Sequence, residues 1–173
     1  MPLKFKRETE FKETEIGQIP REWEEKPLKD VVALPIKDGG TPSRKKNDIY
    51  FVGNIPWVTI KDIRRYIYDT EEHLTEEGLK HSSAKLWPKD TIIFSFGATI
   101  GEVGIAKVEL ATKQSICGIY IDKKKGDNQF YFYLLKTLKE FFKDLASGST
   151  FGEIRPPVFE KILLLYPSPS EQS

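Results

Sequence analysis

The apolar residues of this chain come in short runs, and that shortness limits the folds open to it. NIPWVTI (54–60), DTIIFSF (90–96) and QSICGIYI (114–121) are rich in β-branched and aromatic residues and are punctuated by Gly, Pro, Asn and charged residues. That is a strand pattern rather than a helix pattern. None of them approaches the ~20 residues a membrane-spanning helix needs. One stretch has the other period. In NQFYFYLLKTLKEFFKDLA (128–146) apolar residues recur three and four positions apart, which predicts a helix capped by Asn128. Short strands mixed irregularly with few helices predict an α+β (mixed α/β) fold: one compact domain, a twisted mixed sheet, long loops and one prominent helix in the C-terminal half.

The remaining segments fit this scheme. PLKDV (27–31) can open a short helix, because Pro is tolerated at the first helical position. VVALPI (31–36) reads as a strand that Pro35 pushes towards a sheet edge. Residues 38–54 read as a long loop. LTEEGLKHSS predicts one or two helical turns capped by Thr75, with Glu76 and Glu77 in the first turn. GATIGEVGIA turns before a further short strand, and QSICGIYI, apolar on both faces, predicts a central strand. VFEKILLLYP predicts a turn of helix leading into a last strand.

At 173 residues there is material for one domain with a sizeable core and too little for two of ordinary size. Residues 1–13 read as a polar lead-in, with the ordered domain beginning at Thr14 and running to about residue 167. The start of the chain carries charge where a secretory signal needs an apolar core, and its one cysteine, Cys117, suits a reducing compartment. A cytoplasmic protein is expected.

A net charge of +1 is less basic than a nucleic-acid binder usually is, but the charge is unevenly spread. Thr41–Tyr66 holds six Lys or Arg against two Asp, whereas Ile67–Glu77 holds five acids and no Lys or Arg. The two runs read either as ordinary solvated faces or as adjoining basic and acidic surfaces that orient the domain on a polyanion. Charge alone leaves both open.

Catalytic signatures are missing. His73 and His81 lie at no metal-ligand spacing, so surface or cap roles are expected of them. Cys117 has no base near it in sequence and reads as a buried structural thiol. GATIGEVG lacks the Lys–Ser/Thr of a phosphate loop. RPPVF (155–159) has the two prolines of an amino-methyltransferase box, but Arg155 stands where an acceptor for the target amine is needed and Val158 where an aromatic must stack. That reading is rejected.

Seven segments recur together in a familiar order: TEIGQIPREWEEKPLKDV, GGTPS, NIPWVTIKDI, LTEEGLKHSSAKLWPKDTIIFS, ATIGEVGIA, ATKQSICGI and LASGSTFGEIRPPVFEKILLLYPSPSEQ. Their succession closely resembles a target recognition domain from the DNA specificity subunit of type I restriction–modification systems, over nearly the whole chain from about Thr14. The resemblance implies a non-catalytic domain that reads one half of a bipartite double-stranded DNA target. It implies as partners modification subunits, which methylate with S-adenosylmethionine, and through them restriction subunits, which use ATP. No cofactor is expected on this chain. Residues 168–173 match the start of the family's first long spacer helix, so the sequence reads as one recognition domain without that helix or a second domain, and self-pairing is expected only with the helix restored. Two alternatives stand beside this: an assembly or decoy fragment that reads no DNA, and the DNA-reading domain of an adenine methyltransferase whose catalytic part is another chain.

Under this resemblance the loop GGTPSRKKN (39–47) gains a purpose. Gly40 would let the backbone approach a phosphate, Thr41 and Ser43 would donate to phosphate oxygens, and Arg44, Lys45 and Lys46 would neutralise charge. Gly39–Gly40 also makes sense simply as a turn, and the two readings are compatible. The same logic adds Lys61, Arg64 and Arg65 from KDIRR, Thr99, and Ser149 and Thr150 from SGST. Arg44, Lys113, Gln114 and Arg155 have the donor and acceptor chemistry to read base edges. Trp57 is expected in the core.

Overall fold

A computed structural model describes residues 10–149 and 154–173 of the chain. Its strands are β1 (Phe11–Thr14), β2 (Gly17–Pro20), β3 (Glu24–Pro27), β4 (Ile55–Val58), β5 (Tyr66–Ile67), β6 (Glu72–Leu74), β7 (Leu86–Trp87), β8 (Ile92–Ser95), β9 (Val103–Ala106), β10 (Leu110–Thr112), β11 (Ile116–Ile119) and β12 (Leu163–Tyr166). Its α-helices are α1 (Asn47–Tyr50), α2 (Glu76–Lys80), α3 (Asn128–Thr137), α4 (Lys139–Ser147) and α5 (Pro156–Phe159). The α+β class holds. The strands, however, form two four-stranded sheets, ordered β6-β4-β10-β7 and β11-β8-β9-β5, and two paired ribbons, β1-β2 and β12-β3, in place of one twisted sheet. Each four-stranded sheet has one parallel pair, β4 with β10 and β5 with β9.

Side-chain alternation along the strands stacks these sheets into layers. Val58, Trp87 and Leu110 from the first sheet meet Ile67, Ile93, Ala106 and Ile116 from the second. The outer face of the first sheet, Ile55, Trp57, Leu74 and Ala111, is covered by Phe51 and Leu79 beside α1 and α2. The outer face of the second, including Ile92, Phe94, Ile105 and Ile119, lies under α3, α4 and α5. Phe94 stacks on Phe159 at 4.8 Å between ring centroids and meets Phe142 edge-on at 5.2 Å. In β8, Ile92 and Phe94 face the helices while Ile93 faces the other sheet, so the strand reads as apolar throughout. Phe159 of the RPPVF segment is thus a core residue, and Val158 is exposed.

Several expectations are corrected. β11 is an edge strand of its sheet rather than a central one, and is wholly buried because layers cover both faces. Gly118 is needed there: a Cβ would stand 2.2 Å from the indole of Trp87. VVALPI forms no strand, only a single bridge from Val32 to Ile121. The 128–146 helix is broken at Leu138 (ψ 13°) into α3 and α4, and its cap is Asp127, whose carboxylate accepts from the Phe130 N–H at 3.0 Å. Asn128 donates instead to the Asp90 carbonyl. Of the lead-in expected over 1–13, residues 1–9 lie outside the described residues and Phe11–Thr14 pair with Gly17–Pro20 as the β1-β2 hairpin, and the 38–54 loop contains a 3-10 turn and α1. Pro169, Ser170 and Glu171 form a turn closed by the Glu171 N–H on the Ser168 carbonyl, and buried Gln172 bridges the Asp127 N–H and the Pro167 carbonyl.

Thr75 caps α2 as expected, accepting from the Gly78 N–H at 3.0 Å. Cys117 is fully buried, and burial pushes its thiol well above the ordinary thiol range. Among the described residues no helix is long and apolar enough to cross a membrane, and no cluster of His, Cys, Asp or Glu is placed to hold a metal.

Candidate nucleic-acid interface

Three loops meet where the two large sheets adjoin. The first, 59–62, leaves β4; the second, 97–99, follows β8; the third, 113–115, joins β10 to β11. Between them and Glu71–Glu72 lies a cleft of about 490 Å³ whose lining includes Lys61, Thr99, Lys113 and Gln114. Four of the residues expected to touch DNA, from three separate segments, therefore share one concavity.

Local hydrogen bonding fixes each wall. Thr59 and Asp62 form a capping box in which the Asp62 carboxylate accepts from both the N–H and the hydroxyl of Thr59 at 2.8 Å. The other Asp62 oxygen accepts from the Glu71 N–H at 3.0 Å, tying the opposite wall to the first. Asp62 is only 5% exposed, and these bonds satisfy a carboxylate that would be costly to bury alone. Thr70 accepts from the Trp57 N–H and donates to the Glu72 carbonyl, which holds the acidic segment against β4.

The third loop turns through Ser115, whose φ of 68° lies in the left-handed region where residues with a Cβ are uncommon. Its N–H donates to Asp38 at 2.7 Å and its carbonyl accepts from the Phe96 N–H at 3.0 Å. A Cβ on Gly97 would stand 2.6 Å from the Ser115 Cβ, so the second and third loops interlock there. Exposed Gln114 stands at the crest of this turn. On its other side a cleft of about 430 Å³ is lined by Lys37, Asp38, Gln114 and Arg155. A further depression of about 540 Å³ runs from Gly97–Thr99 to Lys139 and Lys143 of α4, where Lys139 pairs with Glu102 and Lys143 with Glu140.

In the GGTPSRKKN loop, Gly40 and Arg44 make contacts within the domain. Gly40 is buried and packs on its own chain: its N–H donates to Thr112, its carbonyl accepts from the Trp57 indole at 3.0 Å, and a Cβ would strike the Ala84 nitrogen. It brings the backbone close to β10, not to solvent. Arg44 forms a bidentate pair with Glu72, lies 4.1 Å over the Phe51 ring and reaches the Trp57 indole. The pair raises the Arg44 pKa and holds the Glu72 carboxyl below its ordinary value, both mainly through the hydrogen bond between them. Thr41, Ser43, Lys45 and Lys46 remain exposed, with Lys46 5.6 Å over Tyr50.

Two other assignments stand apart from the cleft. Arg65 lies over Tyr66 and Tyr133, and Arg64 donates to the Asp69 carbonyl. Ser149 donates its hydroxyl to the Ala146 carbonyl at 2.8 Å and closes the end of α4. Thr150 lies outside the described residues. His73 pairs with Asp69, and His81 stacks on Tyr50. The residues that sequence reasoning missed are Asp38, Asp62, Glu71, Glu72 and Ser115. Only Asp62 left a local signal, the Thr59-x-x-Asp62 capping spacing.

Residues 20–173 match the family described as the type I restriction modification DNA specificity domain. The chain is 41% identical to the type I restriction enzyme MjaIX specificity subunit of Methanocaldococcus jannaschii, over 98% of this chain and 40% of the relative. It is 30% identical to the HindI specificity subunit of Haemophilus influenzae, over 87% of this chain and 33% of the relative. It thus spans well under half the length of these relatives. The fold is shared with the HsdS subunit from Thermoanaerobacter tengcongensis, with a TM-score of 0.70 at 15% identity over 94% of this chain and 37% of that one. The chain belongs to the type I restriction modification DNA specificity domain family.

Proposed function

We propose that this domain binds double-stranded DNA through the face that carries the Lys61–Thr99–Lys113–Gln114 cleft, and that it reads one half of a bipartite target. The observation that carries the reading is the convergence of these residues, from three separate loops, on one concavity. Lysines supply charge to the phosphates, while an amide supplies the paired donor and acceptor that base reading needs. The domain itself is non-catalytic. Methyl transfer from S-adenosylmethionine and ATP-driven steps belong to partner modification and restriction subunits, which it directs to DNA in the cytoplasm. Family membership supports this division of labour, since the matching relatives are named as specificity subunits.

The test is selection of duplexes from a randomised library by the purified chain at low salt, followed by sequencing. A short enriched motif is expected, with binding that weakens steeply as salt rises. Recovery of duplexes without any enriched motif would refute sequence reading by this domain.

A further inference from the structure

We infer that Glu71 reads a base: its carboxylate accepts a hydrogen bond from the exocyclic amino group of adenine or cytosine on the DNA edge that enters the cleft. This rests on the DNA-binding reading above and adds to it the chemistry of one recognised position. The cleft is of mixed character, with Lys61, Lys113 and Gln114 offering donors and Glu71 and Glu72 offering acceptors. The two acids are not equivalent. Both Glu72 oxygens are taken by Arg44, so that carboxylate is occupied within the domain. The Glu71 carboxylate has no partner among the described residues, although two lysines line the same cleft.

Its backbone is nonetheless fixed, because buried Asp62 accepts from the Glu71 N–H at 3.0 Å. The residue is therefore held in place while its side chain is left available, the arrangement a recognition group needs. An ionised carboxylate can only accept hydrogen bonds and repels phosphate. On a DNA-binding face its favourable partners are the amino groups of base edges, and a major-groove edge entering the cleft offers N6 of adenine and N4 of cytosine. Gln114 in the same cleft can pair with the neighbouring ring nitrogen or carbonyl, so the two residues together distinguish an amino-bearing base from its keto counterpart.

The experiment compares the wild type, Glu71→Gln and Glu71→Ala in duplex selection and in salt titration. The wild-type motif is expected to contain an adenine or cytosine whose preference falls on the order of 10-fold in Glu71→Ala, with other positions and the salt slope unchanged, whereas Glu71→Gln, whose amide oxygen still accepts from the amino group, keeps a preference for an amino-bearing base. Removing that base's amino group, with purine in place of adenine or a 2-pyrimidinone in place of cytosine, is expected to weaken wild-type binding and leave Glu71→Ala binding unaltered. A motif that Glu71→Ala retains, with affinity rising equally for all duplexes, would make Glu71 a mere source of repulsion and overturn this inference while leaving DNA reading intact. Failure of the wild type to enrich any motif would overturn both.

Discussion

Lys61 and Lys113 line the cleft, whereas Arg44 is already matched by Glu72, so charge removed at the two places has different consequences. When a side chain that neutralises one phosphate is truncated, the log–log dependence of binding on salt becomes shallower by about 0.9. If both lysines touch phosphates, Lys61→Ala/Lys113→Ala flattens the slope by about 1.8. Over a fourfold rise in salt the wild type would then lose roughly ten times more affinity than the variant. The double variant Arg44→Ala/Glu72→Ala removes a neutral pair and is expected to leave the slope within about 0.3 of wild type. Its cost falls on stability instead: an ion pair this exposed is worth about 0.2–1 kcal/mol, and stacking of the guanidinium on Phe51 adds a comparable amount. Because pairing lowers the Glu72 pKa, the ion-pair part is present above its ordinary value of 4.5 and is lost as pH falls through the depressed value. Fluorescence anisotropy with one labelled duplex over a salt series measures the slopes. An unchanged slope in the lysine variant, or equal flattening in both, would refute the placement of the interface.

Three further outcomes follow from the packing. Phe142→Ala removes a fully buried ring from the Phe94–Phe159 cluster and is expected to cost about 3–5 kcal/mol in denaturant unfolding. Gly97→Ala sets a Cβ against that of Ser115 and is expected to cost about 1–3 kcal/mol, most of it recovered by adding Ser115→Gly, which removes the opposing atoms. Cys117 is expected to resist a thiol reagent at about pH 8 in the native protein and to react fully in denaturant, as measured by absorbance of the released chromophore.

Local signals were readable where local physics decides. DTIIFSF is a strand because its residues are apolar and β-branched or aromatic, and Thr75 caps α2 because Ser/Thr-x-x patterns satisfy an orphan N–H wherever they occur. The break at Leu138 left no trace, since leucine is a good helix former and the periodicity runs on through it. Asp127 and Asn128 are both competent caps, and only the contact of Asn128 with Asp90 separates their roles. In the cleft, Lys61, Lys113 and Gln114 were visible by chemical type. Arg44 was visible too, but its partner Glu72 lies 28 positions away, and no sequence rule tells a paired arginine from a free one. Ser115 was invisible because its left-handed backbone is imposed by Asp38 and Phe96, which arrive from other segments.

The central claim, that this domain alone specifies one half of a bipartite target, is tested most directly by transplanting it. Residues 20–173 would replace the matching region of a full-length specificity subunit such as the Methanocaldococcus jannaschii relative. The hybrid would be co-expressed with the cognate modification subunits, and the genomic methylation motif read by sequencing. One half of the motif is expected to change to the sequence this domain selects in isolation, with the other half unaltered. A motif unchanged in both halves, in cells where methylation persists, would contradict the account.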